Sequence, residues 1–193
     1  MPRHFYITIW VINGMWIPWM IYWAVSARFT KKTAYRPAWP QGKVVAVCLV
    51  AAIILMQNLP GVGRRLIPIE AAVPTEILGM ILCGTGLAFA IWARIYLGRN
   101  WSGLVTFKEQ HELITTGPYA FVRHPIYTGV FVAIIGTALA LSPSIGGLFA
   151  IPLAATALFF KLRHEERLME KEFPEQYTAY KARVPAAIVP FIF

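Results

Sequence analysis

The sequence predicts an all-α integral membrane protein of five transmembrane helices, with a C-terminal helical hairpin extending into the cytoplasm. Three observations carry the prediction. The chain is 58% hydrophobic and only 14% charged, where a soluble domain carries about a quarter charged residues. Its mean hydropathy is +0.57. Apolar runs of the length that crosses a bilayer as a helix recur along it, separated by polar breaks.

The net charge of +9 would suggest nucleic acid in a soluble protein. In a membrane protein, Lys and Arg mark cytoplasmic loops and contacts with anionic lipid headgroups. Membrane lipids are therefore expected partners and nucleic acid is not. Cys48 and Cys83 both sit inside apolar runs, without another Cys or His at metal-ligand spacing. They read as small buried apolar residues, and no metal site is expected. The first apolar run is too long for a cleavable signal peptide, and no small-residue cleavage site ends it. The sequence shows no internal repeat and no low-complexity tract, so residues 1–193 are expected to form a single membrane domain.

The first span covers Phe5 to Val25. Trp10, Trp16, Trp19, Tyr22 and Trp23 are spread through it, and aromatics of this kind belong to membrane interfaces. Gly14 and Pro18 suggest a kink that neighbouring helices can tolerate. The second span, Val44 to Leu59, is short and ends sharply at Pro60-Gly61. These two spans make up an N-terminal part, 1–74. The remainder, 75–193, forms a core. Its first span runs from Thr75 to Leu97, where Gly79, Gly84 and Gly86 let helices approach closely. Arg94, one turn before the end, either snorkels or faces a site. A long polar loop occupies 98–125. The fourth span starts at Pro125, a good first-turn position for proline, and ends at Leu141. Ser142-Pro143-Ser144 makes a tight turn. The fifth starts at Ile145, and with no breaker before Pro174 its helix continues to Phe173 as an amphipathic extension.

Orientation follows from the basic residues. With the N-terminus outside, the cytoplasmic segments hold Arg28, Lys31, Lys32, Arg36, Lys43, Arg99, Lys108, Arg123 and the basic residues from Lys161 to Arg183. The outer segments hold only Arg3, Arg64 and Arg65. The excess favours N-outside, C-cytoplasmic. It places the 98–125 loop and the C-terminal tail on one side.

Two constellations carry chemistry. On the last long helix, Leu162, Met169 and Phe173 fall on one stripe at about 100° per residue. Glu165 and Glu166 flank that stripe, with Lys161 and Arg163 one turn earlier. Acids are costly at a membrane surface unless paired or used. They also fit an exposed helix laced with weak i,i+4 pairs. In the second constellation, Arg123-His124-Pro125-Ile126-Tyr127, proline pushes His124 out of helical geometry. Arg123 and Tyr127 stand at the mouth of the fourth span. They suit either a site or an interfacial anchor.

The ordered series is more specific than its parts. Leu97-Gly98-Arg99-Asn100-Trp101-Ser102 is followed by His111-Glu112-Leu113-Ile114-Thr115-Thr116-Gly117-Pro118-Tyr119. Then come Arg123-His124-Pro125-Ile126-Tyr127-Thr128-Gly129, Glu165-Glu166, Phe173-Pro174-Glu175-Gln176-Tyr177 and Tyr180. Over residues 94–190 this series resembles the isoprenylcysteine carboxyl methyltransferase family, part of a wider group that includes phospholipid methyltransferases.

The resemblance implies S-adenosylmethionine as methyl donor. The family's contacts with it map onto His111, Glu112, Leu113, Ile114, Tyr119, His124, Pro125, Ile126 and Tyr127, and the acidic pair Glu165 and Glu166 also matches. By charge, Arg123 or His124 could hold the donor's carboxylate, Glu166 is placed with the donor contacts, and Glu165, Lys161 and Arg163 are the catalytic candidates. Phe173-Pro174 departs from the family's usual Phe-Gly, and Lys161 stands where some relatives carry Arg. The acceptor implied is a lipophilic small molecule or prenylated substrate entering from the bilayer, first of all the carboxylate of a prenylated cysteine. An ionised carboxylate needs an orienting cation rather than a base, and Lys161, Arg163 and Arg183 are the candidates. N-methylation of an aminophospholipid is the alternative. A sterol-reductase-like enzyme using NADPH and a non-catalytic membrane scaffold are further alternatives.

Overall fold

A computed structural model describes residues 3–35, 43–45, 47–48, 51–52, 73–101, 107–108, 112–141 and 145–188. They include the helices α1 (Arg3–Ser26), α2 (Val73–Leu97), α3 (Pro125–Ala140), α4 (Ile145–Glu172) and α5 (Pro174–Arg183), and residues 43–45, 47–48 and 51–52 are helical too. Helix starts and ends follow the sequence reading closely. Pro125 is the first residue of α3, preceded by His124 in non-helical geometry (φ −126°, ψ 63°). α4 runs for 28 residues, continuing past the apolar stretch, about 42 Å of helix. Phe173 breaks it and Pro174 starts α5. Pro18 is accommodated inside a continuous α1. The expected second span lies mostly outside the described residues. Of it, Val45 and Ala52 are buried, Ala52 packing with Ile134, Ala150 and Ala154. The expected turn at Ser142-Pro143-Ser144 lies outside them too.

The α2–α3 pair is the tightest seam, and its cause is side-chain size. Gly79, Cys83, Gly86, Ala90 and Ala93 of α2 are buried, as are Gly129, Ala133, Gly136 and Ala140 of α3. The rows alternate at spacings of three and four, one face of a helix. The chains run antiparallel with almost no side chain between them. A Cβ built on Gly86 would lie 2.5 Å from the Gly129 carbonyl oxygen and 2.6 Å from the Ala133 nitrogen. Gly84, expected to serve the same purpose, instead faces Met15 of α1. α1 lies across this pair, with Ile12, Met15 and Trp16 packed on Cys83, Leu87 and Ala133. The Trp16 indole donates to Thr137 Oγ1 at 2.9 Å.

Arg94 neither snorkels nor faces the site. It is 4% exposed and ties helix ends together, donating to the carbonyls of Gly98 (2.7 Å) and Ser26 (2.9 Å). One short pair of extended segments accompanies the helices without changing the all-α class. Thr33–Tyr35 (β1) pairs antiparallel with Phe107–Lys108 (β2). The loop after α1 and the 98–125 loop share one end of the bundle, so their extended backbones satisfy each other.

Exposed large apolar side chains coat the outside: Trp10, Ile17 and Ile21 on α1, Ile77, Ile81 and Ile95 on α2, Phe149 and Phe159 on α4. A helical surface of this kind fits lipid contact. Among the described residues, the helix 73–100 is long and apolar enough to cross a membrane by length and composition, and the apolar α3 is shorter.

Candidate functional site

The site lies at the end of the bundle where the loops gather. Its mouth is the stretch before α3. Gly117 adopts φ +61°, a backbone conformation that favours glycine, and a Cβ there would press on the Tyr96 ring at 2.5 Å. The chain then makes a short 3₁₀ turn over Gly117–Ala120, burying Pro118 and Tyr119. Arg123 follows, and Pro125 opens α3 with His124 at the position before it.

Arg123 is the hub. Its Nε donates to Glu166 Oε1 at 2.8 Å, with both side chains below 10% exposed. Its Nη1 donates to the carbonyl oxygens of Val184 (2.8 Å) and Pro185. The backbone N–H groups of Arg123 and His124 donate to the carbonyls of Ala186 (3.0 Å) and Ala187 (2.9 Å). The segment after α5 is thus laid beside the entry of α3 and held there. α5 itself is anchored by Tyr180, whose hydroxyl donates to the Tyr119 carbonyl at 2.7 Å. Tyr177, Tyr180 and Val184 pack with Leu113, Met169 and Phe173.

His124 sits between the two acids. Nδ1 is 3.7 Å from Glu165 Oε2 and Nε2 is 3.6 Å from Glu166 Oε1. Its ring is stacked on Tyr127 (5.5 Å between centroids, 4° between planes). The Tyr127 hydroxyl donates to Glu165, and the Lys161 ammonium lies 5.3 Å from the Tyr127 ring centre. Burial by itself would raise the Glu166 carboxyl, but the adjacent His124 and Arg123 outweigh it and hold the group at about 2. Burial, first of all, pushes the Tyr119, Tyr177 and Tyr180 phenols well up. They remain neutral hydrogen-bonding groups.

These residues surround a cavity of about 330 Å³, within the range of small-molecule sites. Of the residues expected at the site, Glu112, Leu113, Ile114, Tyr119, Arg123, His124, Ile126, Tyr127, Lys161 and Glu165 line it. Glu166 stands behind the wall as the partner of Arg123. Pro125 is buried in the core at the start of α3 rather than on the wall. Two expected residues are not brought there. Arg163 is exposed, its guanidinium 5.5 Å from the Phe159 ring centre, because two residues along a helix from Lys161 is nearly the opposite face. Arg183 is exposed near Tyr180. His111 lies outside the described residues.

The sequence reading missed a whole wall. Trp19 and Trp23 of α1, stacked at 4.4 Å, line the cavity with Val130, Ala157 and Leu158. Trp23 meets Trp101 edge-on at 5.5 Å. The spacing of Trp16, Trp19 and Trp23 by three and four was the available signal, since it marks one helix face. Asn100, Leu168 and Met169 also line the cavity. The segment after α5 carried no signal, because its contribution is backbone carbonyls.

Comparison with known proteins adds a family. A sequence model described as phospholipid methyltransferase matches residues 74–176. Protein-S-isoprenylcysteine O-methyltransferase B of Arabidopsis thaliana is 34% identical over 121 residues, 60% of this chain and 56% of that one. The nickel-cobalt-cadmium resistance protein NccN of Alcaligenes xylosoxydans xylosoxydans is 41% identical over 93 residues, 47% of this chain and 42% of that one. The chain spans about half the length of these curated relatives. Among solved structures, the eukaryotic intramembrane Ras methyltransferase (isoprenylcysteine carboxyl methyltransferase) is similar at 28% identity with a TM-score of 0.43. The match covers 81% of this chain and 55% of that chain.

Proposed function

We propose that this chain, which belongs to the phospholipid methyltransferase family, transfers a methyl group from S-adenosylmethionine to a lipophilic acceptor, first of all the carboxylate of a prenylated cysteine. The observation that carries the reading is the mixed lining of the cavity. It brings Arg123, His124, Lys161 and Glu165 together with Trp19, Trp23, Val130, Ala157 and Leu158. A charged cofactor and an apolar acceptor chain would each find matching groups.

The lining fits the donor. His124 Nε2 is buried, 3.6 Å from Glu166 Oε1 and just beyond hydrogen-bond distance of it, so a ligand acceptor can compete for it. His124 would meet the donor's carboxylate, Glu165 its ammonium or ribose, and Tyr119 with the 112–114 backbone its base. When bound, S-adenosylmethionine supplies an electrophilic methyl group on a sulfonium. The protein's own task is then alignment and exclusion of water. Glu166 fixes Arg123, Arg123 fixes the 184–188 segment, and that segment closes the wall behind His124. Lys161 orients an acceptor carboxylate with its ammonium. Arg123 is less suited to that task, since its Nε and Nη1 donors are already engaged.

The chain is proposed to cross the bilayer five times, with the N-terminus outside and the α3–α4 pair reaching into the cytoplasm as a hairpin. The exposed apolar girdle and the basic residues of the site end support that orientation.

Saturable binding of S-adenosylmethionine to detergent-solubilised protein tests the donor, with loss expected in His124→Ala. Absence of binding in folded protein would overturn the proposal. Labelled methyl incorporation into a prenylcysteine analogue tests the acceptor, and base-labile label identifies an ester. Glu112 and Glu165 on the same cavity would suit an amine instead. Base-stable label with an aminophospholipid would therefore favour N-methylation. Family membership gives no support to a nicotinamide-dependent reductase.

A further inference from the structure

Asn100 is 8% exposed and lines the cavity, and its Oδ1 is buried without a hydrogen-bond partner among the described residues. A carbonyl oxygen enclosed by protein without a donor, on a residue that lines the cavity, is an acceptor waiting for a donor.

The mount is built for one orientation. Gly98 sits at φ +56°, with open space where a Cβ would be, so the glycine is there for its backbone geometry. It turns the chain out of α2 into the short 3₁₀ segment Gly98–Asn100. Arg94 braces that segment from inside, donating to the Gly98 carbonyl at 2.7 Å and lying 4.4 Å from the Trp101 ring centre. Lys31 braces it from outside, its N–H donating to the Arg99 carbonyl at 2.9 Å.

The neighbours define the donor. Trp23, Trp101 and Tyr119 pack together beside Asn100 and face the same cavity, which favours a flat aromatic ligand. Arg94, permanently charged behind Trp101, disfavours an ammonium. What remains is a neutral N–H on or beside a planar ring, the chemistry by which an amide side chain and aromatic faces read a base. Building on the methyl-donor reading of this cavity, we propose that Asn100 sets cofactor specificity by accepting a hydrogen bond from the exocyclic amine of the donor's adenine. The second source of a neutral N–H is an amide in the acceptor, and the test separates the two.

The full chain in detergent is titrated calorimetrically with S-adenosylhomocysteine and with S-inosylhomocysteine, in which a keto oxygen replaces the amine. Wild type is expected to prefer the adenine form by about 30-fold, and Asn100→Leu to bind both within about two-fold. The thermal midpoint of the ligand-free variant should stay near the wild-type value, because Oδ1 has no partner to lose among the described residues. Asn100→Ala gives the same readout if the leucine variant does not fold. A preference that persists in both variants overturns the inference. So does a variant that is destabilised without ligand yet keeps its selectivity. If wild type binds neither compound, the methyl-donor reading itself has failed. In a parallel arm, methylation of N-acetyl-S-farnesylcysteine is compared with S-farnesylthiopropionate. If Asn100→Leu removes a KM preference there and leaves adenine selectivity intact, the acceptor amide is the occupant and the adenine assignment is wrong.

Discussion

The two faces of α3 are built on opposite principles. Towards α2, Gly129, Ala133, Gly136 and Ala140 bring backbone against backbone and leave no space. Towards α4 and the loops, Ile126, Tyr127 and Val130 stand off from their neighbours and border a cavity of about 330 Å³. One face fixes where the helix is, and the other uses that position. A ligand site whose polar groups must be held to fractions of an ångström needs such a seam behind it. The difference predicts that substitutions on the sealed face cost the fold and those on the open face cost chemistry.

The largest effect is expected at the seam. In Gly129→Val the first added carbon would lie 2.5 Å from the Gly86 carbonyl oxygen and 2.7 Å from the Ala90 nitrogen. Both obstacles are helix backbone and cannot rotate away. A loss of about 3 kcal/mol or more is expected, read as failure to elute as a monodisperse species in detergent. A well-folded Gly129→Val protein would mean that the seam is looser than drawn.

Glu166→Gln comes next, because it removes the brace of the open face without touching the cavity wall. The folded-state value of the Glu166 carboxyl, about 2, lies below its ordinary 4.5. Its contribution is therefore fully present above about pH 4.5 and is lost as pH falls toward 2, about 3 kcal/mol in all. The thermal midpoint of wild type should fall across that window. The variant, already lower at neutral pH, should respond less. Parallel curves for the two proteins would show that Glu166 is not what holds Arg123.

Much of this contrast was legible in the sequence, and its gaps have physical causes. Helix ends at Pro125 and Pro174 could be read because proline's restrictions are local. The acidic pair could be read as unusual, but which member faces the cavity could not. One position along a helix turns a side chain by about 100°, enough to aim Glu165 into the cavity and Glu166 behind it at Arg123. Arg163 failed for the same geometric reason. The tryptophans of α1 were read as an interface belt because belt and cavity use the same residue type. Only the partner across the gap, Trp101, distinguishes them. The role of residues 184–188 could not be read at all, since main-chain carbonyls are common to every sequence.

Lys161 and Arg163 sharpen the comparison on a smaller scale. Both are cations on α4, one on the cavity and one outside it. Lys161→Gln is expected to raise KM for a carboxylate acceptor about 30-fold, or about 2 kcal/mol, with S-adenosylhomocysteine affinity unchanged. Arg163→Gln should leave both near wild type, as for an exposed charge. Equal effects from the two would detach acceptor binding from the cavity.

Tyr127→Phe is the smallest change and the most discriminating. The ring remains, with its stacking on His124 and its place beneath the Lys161 ammonium. Only the hydroxyl that donates to Glu165 is lost. If the open face serves chemistry, Glu165 loses one of the contacts that aim it, and kcat should fall about five-fold, close to 1 kcal/mol. The thermal midpoint should hardly move, because the carboxylate keeps access to the cavity and to His124. Tyr127→Leu removes the ring as well, so the further loss beyond Tyr127→Phe reports the stacking separately. The reverse pattern, a lower thermal midpoint with unchanged kcat, would make Tyr127 a packing residue like those on the sealed face. The distinction between the two faces of α3 would then fail at its central residue.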